Sequence, residues 1–320
     1  MPRKMLALSA LALALLAARP ASAGVDYVAL GDSVTRGEGN LVYAPSDGNQ
    51  GYVSLVDQGL AARNGGVAPT VYNFAIDGET AASFRGGAGR VPPVVGRTDP
   101  ILAAENTNYA TTPLQSQDSK FQALVASERA AGNTIGTVSI TLGFNDLATL
   151  VGQPASAVGT TLAAYQAGYA SILSEIRSLA PGANVLVLGY YNPFPADPSS
   201  PAAPIFNTYG TLLNTIIRGL AAQYGETFVD TAPPFVGNEA TYTYIAQQPA
   251  GTNSLPVGPY QGILPVGNVH PTLAGYQSIA NSVLAAQAAV PEPGSATLLA
   301  LGLAALGFAG RRRIAAARAA

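Results

Sequence analysis

Apolar positions along the chain follow two alternating rhythms. Short runs rich in Val, Ile and Leu stop at a Gly or a polar turn. Each gives way to a longer stretch with apolar residues three and four apart. Runs of the first kind, at 25–30, 70–76, 134–142, 184–190 and 227–229, read as strands. Stretches of the second kind, at 52–62, 113–131, 155–179, 207–224 and 272–288, read as helices. Val53, Leu55, Val56, Leu60 and Ala61 mark the first helix; Leu114, Phe121, Leu124 and Val125 mark the second. Residues 85–112, 192–204 and 231–269 read as loops long enough to wall a binding cleft. Strands alternating with helices predict an α/β fold with a parallel sheet covered on both faces. In such sheets ligands sit at the C-terminal strand ends, so residues that do chemistry are expected directly after strands.

The two ends break this alternation. Arg3 and Lys4 precede an apolar run over 5–18, and Ala21-Ser22-Ala23 follows. This is the pattern of a secretory signal peptide over residues 1–23, cleaved before Gly24. At the other end, Pro291-Glu292-Pro293-Gly294 opens an apolar stretch over 296–309, closed by Arg311-Arg312-Arg313 and Arg318. Both apolar runs are short for a bilayer, which needs about 20 residues. The Arg cluster would stay on the cytoplasmic side, giving the tail a transient membrane contact. Residues 290–320 resemble the PEP-CTERM sorting signal of Gram-negative bacteria, with its Pro-Glu-Pro motif, short apolar helix and Arg cluster. The resemblance implies an exosortase-type protease as processing partner, and a protein released to the envelope or the surrounding matrix. One domain, 24–289, is left between the ends.

Removing the ends changes the charge. The chain has 16 Lys and Arg against 18 Asp and Glu, but seven of the basic residues lie in the two ends. The body from Gly24 to Pro293 therefore carries nine basic residues against 18 acidic ones. That balance argues against nucleic acid as a partner. The chain has no Cys and one His, so a metal site of the usual ligand types is not expected and no cofactor is invoked.

Four segments fall where chemistry is expected. Gly31-Asp32-Ser33-Val34-Thr35-Arg36-Gly37 follows the first strand, and Asp77-Gly78-Glu79-Thr80 follows the second. Gly143-Phe144-Asn145-Asp146 follows the third, and His270-Pro271 precedes the last helix. A serine hydroxyl becomes a useful nucleophile when a base takes its proton, and His270 is the one histidine available. Acyl transfer also needs donors for the developing oxyanion. A backbone N–H at Ser33, another at a loop glycine, and the Asn145 amide are of the right types. In isolation, Ser33 would read as a helix cap, Gly78 as a turn, and Asn145 as a loop residue.

In this order the four segments resemble the signature blocks of the SGNH/GDSL hydrolase superfamily of lipases and esterases. That resemblance spans nearly all of residues 24–288. It implies a flavodoxin-like three-layer α/β/α sandwich and hydrolysis of carboxylic esters. Ser33 and His270 would be catalytic; Ser33, Gly78 and Asn145 would form the oxyanion hole. Small esters, lipids and acylated polysaccharides are the implied substrates. A protein that retains the fold only to bind matrix is the alternative.

One position departs from the family. An Asp is usual three residues before the histidine, and here it is Gly267. Either a Ser–His dyad works with a backbone carbonyl as acceptor, or Asn268 or Asp230 orients the ring, or activity is weakened. The dyad is the expectation.

Overall fold

The computed structural model describes residues 26–38, 51–86, 116–251 and 266–288. Five strands form one wholly parallel sheet in the order β2-β1-β3-β4-β5: β1 Asp26–Gly31, β2 Val71–Asn73, β3 Ile135–Thr141, β4 Asn184–Leu188 and β5 Thr227–Val229. Nine helices are described among these residues. Five are long or medium: α2 Gly51–Arg63, α4 Gln117–Ala131, α6 Ala157–Leu179, α7 Ala203–Tyr224 and α9 Leu273–Ala288. Four are about one turn: α1 Ser33–Arg36, α3 Ser83–Gly86, α5 Phe144–Ala148 and α8 Glu239–Tyr242.

The central strands are buried on both faces, which is why β1 reads as an unbroken apolar run and not as an alternating one. Period two still decides where each side chain goes. Tyr27 and Ala29 pack with Tyr52, Val53 and Val56 of α2 and Ile279, Ala280 and Val283 of α9. Val28 and Leu30 pack on the other face, in the cluster that holds Phe121 of α4, Ile172 of α6 and Ile217 of α7. Each fully buried aliphatic side chain in these two cores contributes about 2 kcal/mol through removal from water. The result is the expected α/β/α sandwich.

Element boundaries differ from the expectations in ways with local causes. The second strand ends at Asn73, not at residue 76. Residues 74–76 still run beside β1, since Phe74 N–H donates to Ala29 O at 2.9 Å and Ile76 N–H to Gly31 O at 3.0 Å. Helix α7 begins at Ala203, because Pro204 is tolerated in a first turn, where its missing N–H has no partner to lose. The loop expected over 231–269 contains α8 and a 3-10 turn at Pro233–Phe235. The four short helices have too few residues for a periodicity to show. The first 23 residues, most of the 85–112 loop, residues 252–265 and the C-terminal tail lie outside the described residues. Among the described residues, no helix is long and apolar enough to cross a membrane.

Strand order reverses at β1: the chain steps outward to β2, then returns to place β3 on the other side. The crevice at the C-terminal ends of β1 and β3 is therefore the place where this topology receives a ligand. Ser33 follows β1 and Asn145 follows β3.

Candidate active site

The chain turns sharply on leaving β1. Gly31 has φ +140°, and a Cβ there would lie 2.5 Å from Thr141 O and 2.6 Å from Thr35 Oγ1. Only glycine fits a backbone of that conformation this close to its neighbours. The Gln117 side chain grips the same peptide from both sides. Gly31 N–H donates to Gln117 Oε1 at 2.8 Å, and Gln117 Nε2 donates to Gly31 O at 2.6 Å. Asp32 then caps α1, accepting Val34 N–H at 3.1 Å. Ser33 is the first residue of that helix, so its N–H has no acceptor four residues back.

Asp32 also ties the site together. Its Oδ2 accepts the Tyr190 hydroxyl at 2.6 Å and lies 3.4 Å from Asn145 Nδ2. Burial pushes its carboxyl up to about 7, against the opposing pull of the Tyr190 and Val34 donors. Asn145 Nδ2 donates to Glu79 O at 3.0 Å, so its amide already holds the Gly78 loop. Neighbouring Asp146 accepts Ala81 N–H with both oxygens at 3.2 Å. Arg36 Nε donates to Asp77 Oδ1 at 2.7 Å, tying that loop to the nucleophile turn. Glu79 accepts from Ser83 Oγ and, at 2.8 Å, from Gln117 Nε2. Among the described residues, the N–H groups of Ser33 and Gly78 have no hydrogen-bond partner. Two free donors thus lie on segments that converge on the crevice.

Burial also pushes the Asp146 carboxyl from its ordinary value up to about 7, with the Ala81 N–H opposing. A carboxyl raised in the folded state binds its proton first in the folded state. Stability therefore falls as pH rises from its unfolded value, near 3.8, through about 7. Melting temperature is expected to drop between about pH 4 and about pH 7, and Asp146→Asn is expected to reduce that drop. An unchanged drop in the variant would assign the pH dependence to other groups.

His270 sits between the loop after α8 and the start of α9. Tyr244 N–H donates to His270 O at 3.0 Å, Thr272 N–H to Tyr242 O at 2.8 Å, and the Tyr191 hydroxyl to Val269 O at 2.8 Å. Its ring bridges two residues. Nε2 is 2.9 Å from Ser33 Oγ and Nδ1 is 2.9 Å from Asn268 Oδ1. The proton position follows from the neighbours. Asn268 Oδ1 accepts the His270 backbone N–H at 3.2 Å, which identifies that atom as the oxygen. The Asn268 amide in turn donates to Gln248 Oε1 at 2.6 Å, and Asn268 N–H to Gln248 O at 2.8 Å. An oxygen facing Nδ1 requires a proton on Nδ1. Nε2 therefore presents its lone pair to the Ser33 hydroxyl, which donates to it.

The other candidate for the ring's orientation lies elsewhere. Asp230 accepts Arg218 Nη2 at 2.8 Å and Ala232 N–H at 3.2 Å, closing its own turn after β5. The acceptor at Nδ1 is a side chain and not a backbone carbonyl. At Gly267 φ is +84°, and a Cβ would lie 3.0 Å from Ile245 Cγ1, 3.1 Å from Ala250 N and 3.2 Å from Gln248 O. No group of three or more metal-ligating side chains occurs among the described residues.

Gln117, Tyr190, Tyr191 and Gln248 carried no sign in the sequence. Each acts on a residue at least 20 positions away, and glutamine and tyrosine at a helix start or loop have many ordinary roles.

Comparison with known proteins bears on the fold and the family. No curated protein matches the chain. Among solved structures, it is similar to a lipase from a goat rumen metagenome, at 18% identity and a TM-score of 0.51, over 82% of this chain and 97% of that one. It is also similar to an extracellular lipase from Streptomyces rimosus, at 22% identity and a TM-score of 0.49, over 82% and 99% of the two chains. An acetyl-xylooligosaccharide esterase variant from Geobacillus matches at 18% identity and a TM-score of 0.49, over 82% and 94%. Residues 289–313 match the PEP-CTERM protein-sorting motif, which directs export to the cell envelope or beyond in Gram-negative bacteria. Residues 29–278 match the GDSL-like lipase/acylhydrolase family, and with most of its length covered the chain belongs to that family.

Proposed function

We propose that this family member hydrolyses carboxylic esters through an acyl-Ser33 intermediate. The supporting observation is the line Ser33 Oγ, His270 Nε2 and Nδ1, Asn268 Oδ1, with 2.9 Å at each ring nitrogen. As Ser33 Oγ attacks the acyl carbon, its proton passes to Nε2. The carbonyl oxygen becomes an oxyanion, met by the N–H groups of Ser33 and Gly78 and by the Asn145 amide. His270 then protonates the leaving alcohol, and water repeats the sequence in reverse to free the acid. Asn268 holds the ring's tautomer throughout, and Asp230 takes no part.

The substrate classes are short-chain esters, lipid esters and O-acyl groups on polysaccharide. Export suits all three: residues 1–23 act as the signal peptide, and an exosortase-type protease removes the tail. The alternative is a binding protein that keeps the fold without catalysis, favoured by Gly267. An occupied Nδ1 weighs against it.

The test is hydrolysis of p-nitrophenyl esters, acetate through decanoate, with fluorophosphonate labelling of Ser33. The acyl-length profile separates an acetyl esterase from a lipase. Asn145→Ala is expected to lower kcat about 10²-fold, the usual cost of one oxyanion donor. No hydrolysis and no labelling would leave the binding protein as the reading.

A further inference from the structure

A carboxylate stands on the serine side of His270 that neither the motif nor the mechanism above uses. Glu38 lies just past α1. Its N–H donates to Ser33 O at 3.0 Å, and the Tyr276 hydroxyl donates to Glu38 O at 2.6 Å. The backbone is thus pinned to the nucleophile on one side and to α9 on the other. Its Oε2 is 3.4 Å from His270 Nε2, and the two side chains are 14% and 17% exposed.

This contact changes character during the reaction. At rest, Nε2 carries a lone pair, and a carboxylate oxygen facing it gains nothing. Once the Ser33 proton arrives, Nε2–H and the ring's positive charge face Glu38 directly. An interaction present only in the charged state favours the transition state over the ground state. The charged and titratable groups around the ring are Ser33 and Glu38, Asp77 from the loop after β2, Arg36 between the two acids, and the Tyr276 hydroxyl on the Glu38 backbone. Arg36 is 2.7 Å from Asp77 and 3.9 Å from Glu38. On the far side Asn268 is neutral and Gly267 has no side chain.

We propose that Glu38 is a positioning residue that supplies, from the serine side of His270, the negative charge missing at Gly267. This rests on the esterase reading. The experiment compares Glu38→Gln, Glu38→Ala and Glu38→Asp in the full exported protein. With one histidine in the chain, its ring Cε1–H resonance can be titrated without assignment. In E38Q and E38A, that titration and the acid limb of the kcat profile move to lower pH. Their kcat falls about tenfold, while KM changes less than about twofold. E38D, which keeps the charge, restores most of kcat and the parent's acid limb. A parent that hydrolyses esters while E38Q and E38A leave kcat, acid limb and resonance in place overturns the proposal alone. So does an E38D variant as impaired as E38Q. A parent that neither hydrolyses esters nor labels overturns the esterase reading, and this proposal with it.

Discussion

Replacing Ser33 by Ala is expected to lower kcat for ester hydrolysis by about 10⁴-fold or more, and His270→Ala by a similar factor. The double variant is expected to be no worse than either alone. The reason is the geometry of the pair. Nε2 has one lone pair, and it faces one hydroxyl at 2.9 Å. Without the hydroxyl, the base has no proton to take; without the base, the hydroxyl stays a poor nucleophile. Once one member is gone the other contributes nothing, so the losses do not add. Residual rate would come from the N–H groups of Ser33 and Gly78. Neither substitution creates a large void: Ser33 is partly exposed and loses one oxygen, and His270 retains its backbone bond to Tyr244. Parent-like melting is therefore expected, and thermal unfolding of both variants checks it. Losses that multiply in the double variant would mean that the two residues act separately.

Restoring the family's aspartate should fail. Gly267→Asp is expected to destabilise the fold by about 3 kcal/mol and to leave kcat no higher than the parent's. Two costs combine. At φ +84° a side chain is strained whatever the space, and here the Cβ also meets Ile245 and the 248–250 backbone at 3.0–3.2 Å. None of those backbone atoms can retreat cheaply, because Gln248 O is bonded to Asn268 N–H at 2.8 Å and Ala250 N–H to Asp197 Oδ2 at 2.9 Å. The Nδ1 position is also filled already. Asn268→Ala is expected to lower kcat about 10²-fold with little loss of stability, since it frees the ring's tautomer. A Gly267→Asp protein that melts with the parent and turns over faster would show that residue 267 has room for the acid.

The sequence by itself determined the layered architecture. Unbroken apolar runs such as 25–30 can be satisfied only when both faces of a strand are covered, and helical spacing at 155–179 or 272–288 supplies the covers. Ser33, Gly78, Asn145 and His270 stood out as candidates in the sequence, and the structure brings Ser33 Oγ within 2.9 Å of His270 Nε2. Each sits in a short motif at a strand end or helix start, which is what drew attention to it. The ring's partner was not legible. Asn268 and a distant acid, Asp230, were both candidates in the sequence, Asp230 the weaker because it could simply close a turn, and a backbone carbonyl was preferred to both. The tertiary structure separated them: Gln248 holds the Asn268 amide with its oxygen toward Nδ1, while Arg218 engages Asp230 after β5. Glu38 and Gln117 were invisible for the same reason. Their meaning lies in contacts with residues 232 and 86 positions away, and only packing of α9 and α4 against the ends of β1 brings those together. Gly267 shows both levels at once. Its identity in the sequence looked like a loss, and the left-handed backbone wedged against residues 245–250 supplies the physical reason for it.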